Sequence, residues 1–244
     1  MLGGEIELPT TDERRPSWRE RVRSGTIQEI KRTAREVLTE EGQSGLTIRA
    51  VARRMGLSSP SLYRYFASHG ELVGAVIVEL LDELVEHIRT ILREHAASDP
   101  GAQILIASRA LRQWALEHPQ EFDLTMTTPI DLAGTDASID EARWRFASVF
   151  AELFVQLWQQ RQFPVPPAQA LGQGLFSAAE LVRQKLDLPI PAGAVAAFLR
   201  GWVRLYGVVC MESMGQLRLV GDTSGALFEW ELRELSGLLG VPSS

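Results

Sequence analysis

Cysteine is nearly absent from this sequence: Cys210 is the only one in 244 residues. An intrachain disulfide is therefore excluded, and a reducing compartment suits the chain. Histidine is almost as sparse, with four. Glu83 and His87 stand four apart on what should be one helix face, but no second His or Cys ligand lies near them, and His95 and His118 have no evident partners. No metal site and no cofactor is expected. Uninterrupted apolar runs never approach the ~18–20 residues needed to cross a bilayer. Met1–Thr10 has neither the basic start nor the apolar middle of a signal peptide. A cytoplasmic protein with no membrane partner is expected. Also missing are β-branched residues alternating at period 2, and any internal repeat, so the fold class is read as all-α.

What is present is ordinary globular material: 45% hydrophobic and 23% charged residues, enough for one large domain or two modest ones. The net charge of −6 suits a nucleic-acid binder only after division. Residues 1–70 hold 12 Lys+Arg against 9 Asp+Glu, whereas residues 71–244 hold 13 against 22. A basic head on an acidic body is compatible with DNA binding, because phosphate contacts need only a local positive face.

Residues 1–16 are polar and aperiodic and read as an arm, in which Arg14 and Arg15 either reach a minor groove or are simply solvated. A first helix is expected over Ser17 to Glu41. Ser17 with Glu20 and Thr26 with Glu29 fit the capping-box spacing, Ser24-Gly25 marks a candidate break between them, and Gly42 and Gly45 stop the helix. Ile27, Ile30, Ala34, Val37 and Leu38 give it one buried face.

The stretch Leu46–Leu72 (LTIRAVARRMGLSSPSLYRYFASHGEL) carries the main signal. Thr47 is a plausible N-cap for a short helix burying Val51, Ala52 and Met55. Gly56 sits where the chain must turn sharply. Ser58 then caps a second short helix, with Pro60 in its first turn, where a missing N–H costs nothing. Leu62 and Phe66 point inward, leaving Ser59, Ser61, Tyr63, Arg64 and Tyr65 facing elsewhere. Two short helices across a tight turn make a helix-turn-helix, and those outward groups are poor core material and good groove material. Ser68 and Glu71 open a further helix, expected over 69–96, whose wide apolar face suits a connector. Beyond it, helices are expected near 101–117, 119–127, 138–161, 167–186, 192–216 and 224–239, separated by breakers such as Asp99-Pro100-Gly101, the loop Thr127–Ser138 and Phe163-Pro164-Val165-Pro166-Pro167.

The stretch Thr26–Leu72 resembles the TetR family of transcriptional regulators. The resemblance rests on Thr47-Ile48-Arg49 leading the second helix, Gly56-Leu57-Ser58 at the turn, Ser61-Leu62-Tyr63-Arg64-Tyr65-Phe66 in the recognition helix, and the Ser68…Leu72 start of the next. It implies a homodimeric repressor whose C-terminal domain binds a small molecule and releases DNA. By the same resemblance Arg49 and Ser61 approach base edges, Ser59 and Pro60 line the groove floor, and Thr47, Tyr63 and Tyr65 contact phosphates. His69 stands where the family usually has lysine; a neutral ring there still donates a hydrogen bond, Arg64 supplies charge, and any ionic attraction of His69 depends on pH. The run Trp202-Val203-Arg204-Leu205-Tyr206-Gly207 looks like the Trp-His-Gly signature of one such C-terminal domain, with Tyr206 in place of the histidine.

In the body, Trp114, Phe122, Met126, Trp144, Phe150, Trp158 and Phe176 are expected either in the core or lining a largely apolar effector pocket, with Arg109, Arg143 and Glu180 as candidate polar anchors. Gly201 and Gly207 beside Leu175, Leu181, Val203 and Val208 point to two helices that either pair with a second copy in a four-helix bundle or pack within one chain. Catalytic motifs fail on context. Gly172-Gln173-Gly174 follows no strand and lacks a third glycine, and Gly221–Gly225 is no nucleophile elbow. The expected organisation is an arm (1–16), a DNA-binding head (17–70) and a ligand-binding and dimerisation body (71–244), reading a palindromic operator. The rival is a helical small-molecule-binding protein or protein–protein adaptor that keeps the helix-turn-helix only as scaffold, against which the exposed serines, Arg49 and tyrosines argue.

Overall fold

In the computed structural model, which describes residues 17–127, 137–221 and 224–241, Ser17 opens helix α1 (Trp18–Gly45). The capping box forms as its spacing predicts: the Glu20 N–H donates to Ser17 Oγ and Glu20 accepts from the Ser17 N–H. The second expected box does not form. Thr26 is interior to α1 and donates its hydroxyl to the Val22 carbonyl at 3.0 Å, the usual resting place for a threonine inside a helix already started elsewhere. No break occurs at Ser24-Gly25; α1 is interrupted at Gly42, whose φ of +71° costs a glycine little, and regains one turn to Gly45. The arm 1–16, and all of the Thr127–Ser138 loop but its ends, lie outside the described residues.

Helix α2 (Ile48–Arg54) starts on Thr47, whose Oγ1 accepts from the Ala50 N–H at 3.1 Å. It ends in a left-handed cap at Gly56 (φ +68°), with Leu57 N–H bonded to the Ala52 carbonyl and Gly56 N–H to that of Arg53. Regular helix α3 is brief (Ser59–Leu62), but further backbone bonds onto Ser59 and Leu62 carry the turn to Phe66. Leu62 and Phe66 are buried against α1 and α2 residues in one continuous core. Ser68 caps α4 (His69–Glu94) by accepting from the Glu71 N–H at 3.1 Å.

The body follows as α5 (Pro100–Glu117), α6 (Pro119–Thr127), α7 (Ala137–Gln160), α8 (Gly172–Lys185), α9 (Ala192–Ser213) and α10 (Ser224–Leu238). The architecture is all-α, with no strand among the described residues. Two boundaries differ from expectation. α8 begins at Gly172 because Ala168–Ala170 forms a separate 3-10 turn. α9 ends at Ser213 because Gly215 turns left-handed (φ +68°).

Two aromatic rows at i, i+4 spacing lock α7 onto α9. Phe146 and Phe150 meet Trp202 edge-on with centroids at 5.4 and 5.3 Å, and Phe154 meets Phe198 at 5.5 Å. Along α9 itself, Trp202 stacks on Tyr206 at 5.6 Å. Such offset and edge-on pairs add roughly 0.5–1.5 kcal/mol each beyond the area they bury. By length and composition alone α9 is apolar enough to cross a membrane. It nevertheless carries Arg200 and Arg204, the latter ion-paired to Glu231 of α10, and it packs on α5, α8 and α10.

Helix α4 joins the head to the body. Leu72, Val76, Leu80, Leu84 and Ile88 are buried along one face, with Ile77 and Leu81 beside them, and α4 meets α1 as well as α5, α6 and α7. Leu62→Ala should therefore cost about 2–5 kcal/mol of unfolding free energy, while Tyr63→Ala, at a residue 51% exposed, should stay within about 0.5 kcal/mol. Urea denaturation of both variants checks this, and equal losses would refute the inward and outward assignment.

Candidate nucleic-acid interface and effector cavity

One surface of the head is defined by what α2 and α3 bury. With Ile48, Ala50, Val51 and Ala52 buried, Arg49 is left on the outside of α2. Of the arginines on that helix, Arg54 pairs with Glu40 and Arg53 lies 3.8 Å from Glu41. Arg49 has no hydrogen bond or ion pair among the described residues, so its guanidinium fork stays available. Thr47 is exposed, and its hydroxyl still has a proton to donate while it caps α2. On α3 the Ser58 and Ser61 hydroxyls bond each other at 2.8 Å rather than capping the helix. Ser59 and Ser61 are half-buried, Pro60, Tyr63 and Arg64 exposed. Tyr65 is half-buried, and the Arg23 guanidinium stands 5.3 Å over its ring while donating to the Arg64 carbonyl. The first turns of α1 thus belong to this surface, and nothing in the Leu46–Leu72 motif signals it.

His69 requires a correction. Its Nε2 lies 2.6 Å from the Leu46 carbonyl oxygen, an acceptor, so that nitrogen carries the proton. In a neutral ring the single N–H is thereby spent, and Nδ1 has none to give a phosphate. His69 instead ties the start of α4 to the segment leading into α2.

The body holds a cavity of about 800 Å³ between α5, α7, α9, α10 and the segment 163–171. Its walls are mostly aliphatic and aromatic, including Phe150, Phe154, Trp202 and Phe228. Tyr206 also lines it; burial pushes its phenol well above the ordinary value, so it is neutral, and it donates to Met126 Sδ. The volume falls in the roughly 300–1,000 Å³ range of small-molecule sites.

Residues 104–235 match a family model described as "Tetracyclin repressor-like, C-terminal domain", and residues 30–76 match one described as "Bacterial regulatory proteins, tetR family". The chain belongs to the TetR family. The HTH-type transcriptional regulator Rv1816 of Mycobacterium tuberculosis is 25% identical over 218 residues, which is 86% of this chain and 90% of that protein. Among solved structures, a protein described as regulatory, SCO4313, is 31% identical, with 91% of this chain and 100% of that one covered at a TM-score of 0.69. The fatty acid degradation regulator FadR from Bacillus halodurans shares the fold, at 17% identity and a TM-score of 0.58 over 86% of this chain and 94% of its own. This TetR protein is accordingly a DNA-binding transcriptional regulator.

Of the expected pocket residues Phe150 lines the cavity and the others do not. Trp114 and Phe122 are buried against each other and His118, on the far side of Tyr206. Met126 packs against the core and accepts from the Tyr206 hydroxyl. Arg109 faces outward and grips Glu229 of α10 at 2.8–2.9 Å. Trp144 is half-buried on α7. Phe176 and Glu180 sit on the outer face of α8, Glu180 paired with Arg183. Sequence composition marks aromatic-rich helices but not which flank of each meets the void. The useful signal was the 198, 202, 206 spacing on α9.

The expected dimer residues divide. Leu175, Leu181 and Val203 are exposed at 46, 60 and 67%. Gly201, Gly207 and Val208 are half-buried. α8 and α9 pack on each other within the chain and still leave this apolar face open. Of Glu83 and His87, Glu83 holds Arg35 of α1.

Arg35 also reaches Glu121, which is buried at 3% exposure, and Gln43 reaches Asp123 at 2.7 Å. These contacts fasten α1 to α4 and α6, and no motif announced them. Ala196→Phe, at a buried cavity residue, should fill part of the void. At least about tenfold weaker uptake of the apolar dye Nile red is expected, with a stability cost of about 1–3 kcal/mol. Unchanged dye affinity would place the dye elsewhere.

Proposed function

We propose that this TetR protein is a homodimeric, cytoplasmic repressor that leaves its operator when a largely apolar effector occupies the cavity. The reading rests on one observation: the side chains of Arg49, Tyr63 and Arg64 stand outward, without a hydrogen bond or ion pair among the described residues, over the buried Leu62 and Phe66, with the hydroxyls of Thr47, Ser58, Ser59 and Ser61 among them. The head is taken as residues 17–70 and the body as 71–244. Arg49 and Ser61 read base edges, Ser59 and Pro60 approach the groove floor, and Thr47, Tyr63, Arg64 and Tyr65 hold phosphates. Arg–guanine pairing is the commonest specific contact, at ~1–3 kcal/mol of discrimination.

A second copy meets the exposed face of α8 and α9 through Leu175, Leu181 and Val203, with Gly201, Gly207 and Val208 allowing close approach. That places two heads on a palindrome whose half-sites are about 34–36 Å apart, or a multiple of that. An effector acts only through its different affinity for the two spacings of the heads, and near-complete release needs about 5.5 kcal/mol of such preference. α4 carries the change, since it packs on both α1 and the body helices.

Gel retardation on the DNA upstream of its own gene, at two salt concentrations, tests the reading. Retardation that weakens steeply with salt is expected; none, or a salt-insensitive shift, would favour a scaffold role for the head. In the same assay Arg49→Ala should relax preference at one operator position, whereas Tyr63→Phe should weaken specific and random DNA alike. Equal losses for Arg49→Ala on both DNAs would remove it from base reading.

A further inference from the structure

Nearly every polar side chain in the cavity wall already has a partner inside the protein. The Ser108 hydroxyl donates to the Ile104 carbonyl at 2.8 Å, and that of Ser236 donates to the Arg233 carbonyl at 2.8 Å. The Tyr206 hydroxyl is given to Met126, and Arg204 is ion-paired with Glu231. The backbone along α9 is satisfied within its helix. A ligand bearing hydroxyls or amides along its length would bury them here without partners, which costs about as much as the hydrogen bonds lost to water.

Arg200 is the exception. It contributes to the wall, is otherwise exposed, and has no hydrogen bond or ion pair among the described residues. Its neighbour one turn on, Arg204, is supplied with a carboxylate by α10; Arg200 is not. It stands at a rim where the wall residue Leu238 is itself exposed and where Leu175 and Val203 border the face proposed for a second copy. A guanidinium beside an apolar mouth presents a fixed fork of donors, matched to a planar oxyanion.

From this we infer that the effector is an amphipathic monoanion: a hydrocarbon body without internal polar groups fills the cavity, and a carboxylate-like head meets Arg200 at the mouth. The inference rests on the cavity being the effector site. It adds the ligand's charge, its polarity pattern and its direction of entry, head outermost.

The full-length protein is titrated calorimetrically with dodecanoate, methyl dodecanoate and dodecylamine, each below its aggregation threshold. Dodecanoate is expected to bind about tenfold or more tightly than either of the others, a ratio set by one charge-assisted contact. Arg200→Gln should bring acid and ester to within about twofold of each other while leaving the ester's affinity unchanged. Equal affinities in the wild-type protein overturn the inference. So does a variant that weakens the dimer in sedimentation but keeps the acid-to-ester ratio, which would give Arg200 to a subunit contact. Release of DNA is read separately by gel retardation: dodecanoate that binds through Arg200 without releasing DNA sinks the effector reading and leaves the ligand chemistry standing, whereas no binding of any probe by folded, DNA-binding protein sinks the ligand chemistry.

Discussion

The apolar face of α4 must be covered from two directions at once, and much of the molecule follows from that. Leu72, Val76, Leu80, Leu84 and Ile88 are buried along one helix, at roughly 1.5–3 kcal/mol for each large side chain. No single neighbour covers so long a row; α1 takes part of it and α5, α6 and α7 take the rest. The head is thus not tethered to the body by a linker but shares a core with it. Polar contacts then fix the angle: Lys31 to Glu79, Arg35 to Glu83 and Glu121, and Gln43 to Asp123. The exposed members of this set contribute little to stability, about 0–1 kcal/mol each. Their weight is geometric, because charged partners on α1, α4 and α6 meet in only a narrow range of helix positions.

The cavity arises from the opposite circumstance, a place where packing is incomplete. Interlocked rings at 146, 150 and 154 on α7 and 198 and 202 on α9 hold those helices at a distance set by aromatic side chains. α10 approaches from the other side and is held at its edges by Arg109 with Glu229 and Arg204 with Glu231, while the Arg112 guanidinium stands over the Phe228 ring. Ion pairs at the rim and rings along one wall leave the middle unfilled. Phe122 of α6 lies 6.4 Å from Tyr206, and Glu121 of the same helix holds Arg35, so the cavity wall and the head are separated by one short helix.

How much of this was legible depended on whether the signal was local. The capping box at Ser17, the cap at Thr47, the Gly56 turn and the inward pair Leu62 and Phe66 are written within a few residues of chain, and each forms as read. Thr26 misled because its spacing to Glu29 is only a permissive condition; the helix had already begun. His69 misled because its partner, Leu46, lies 23 positions away. The same holds for the pocket. Trp114 and Phe122 have the residue types of a ligand wall, but which face of α5 and α6 meets a void is settled by the approach of α9, some eighty residues on. Buried Glu121 is the extreme case: no local pattern marks this carboxylate, and its partner Arg35 lies on another helix.

Leu175, Gly201 and Val203 belong to two surfaces, the wall of the cavity and the open apolar face of α8 and α9. Selection therefore cannot tune these positions for one purpose alone. A substitution that enlarges or narrows the mouth also alters what that face can adhere to, so drift toward a new ligand drags the association surface with it. Phe150, Phe154 and Phe228 line only the interior and are free of that pleiotropy. Divergence in ligand choice among descendants of this chain is accordingly expected to be recorded first in those inner rings, and last at the mouth.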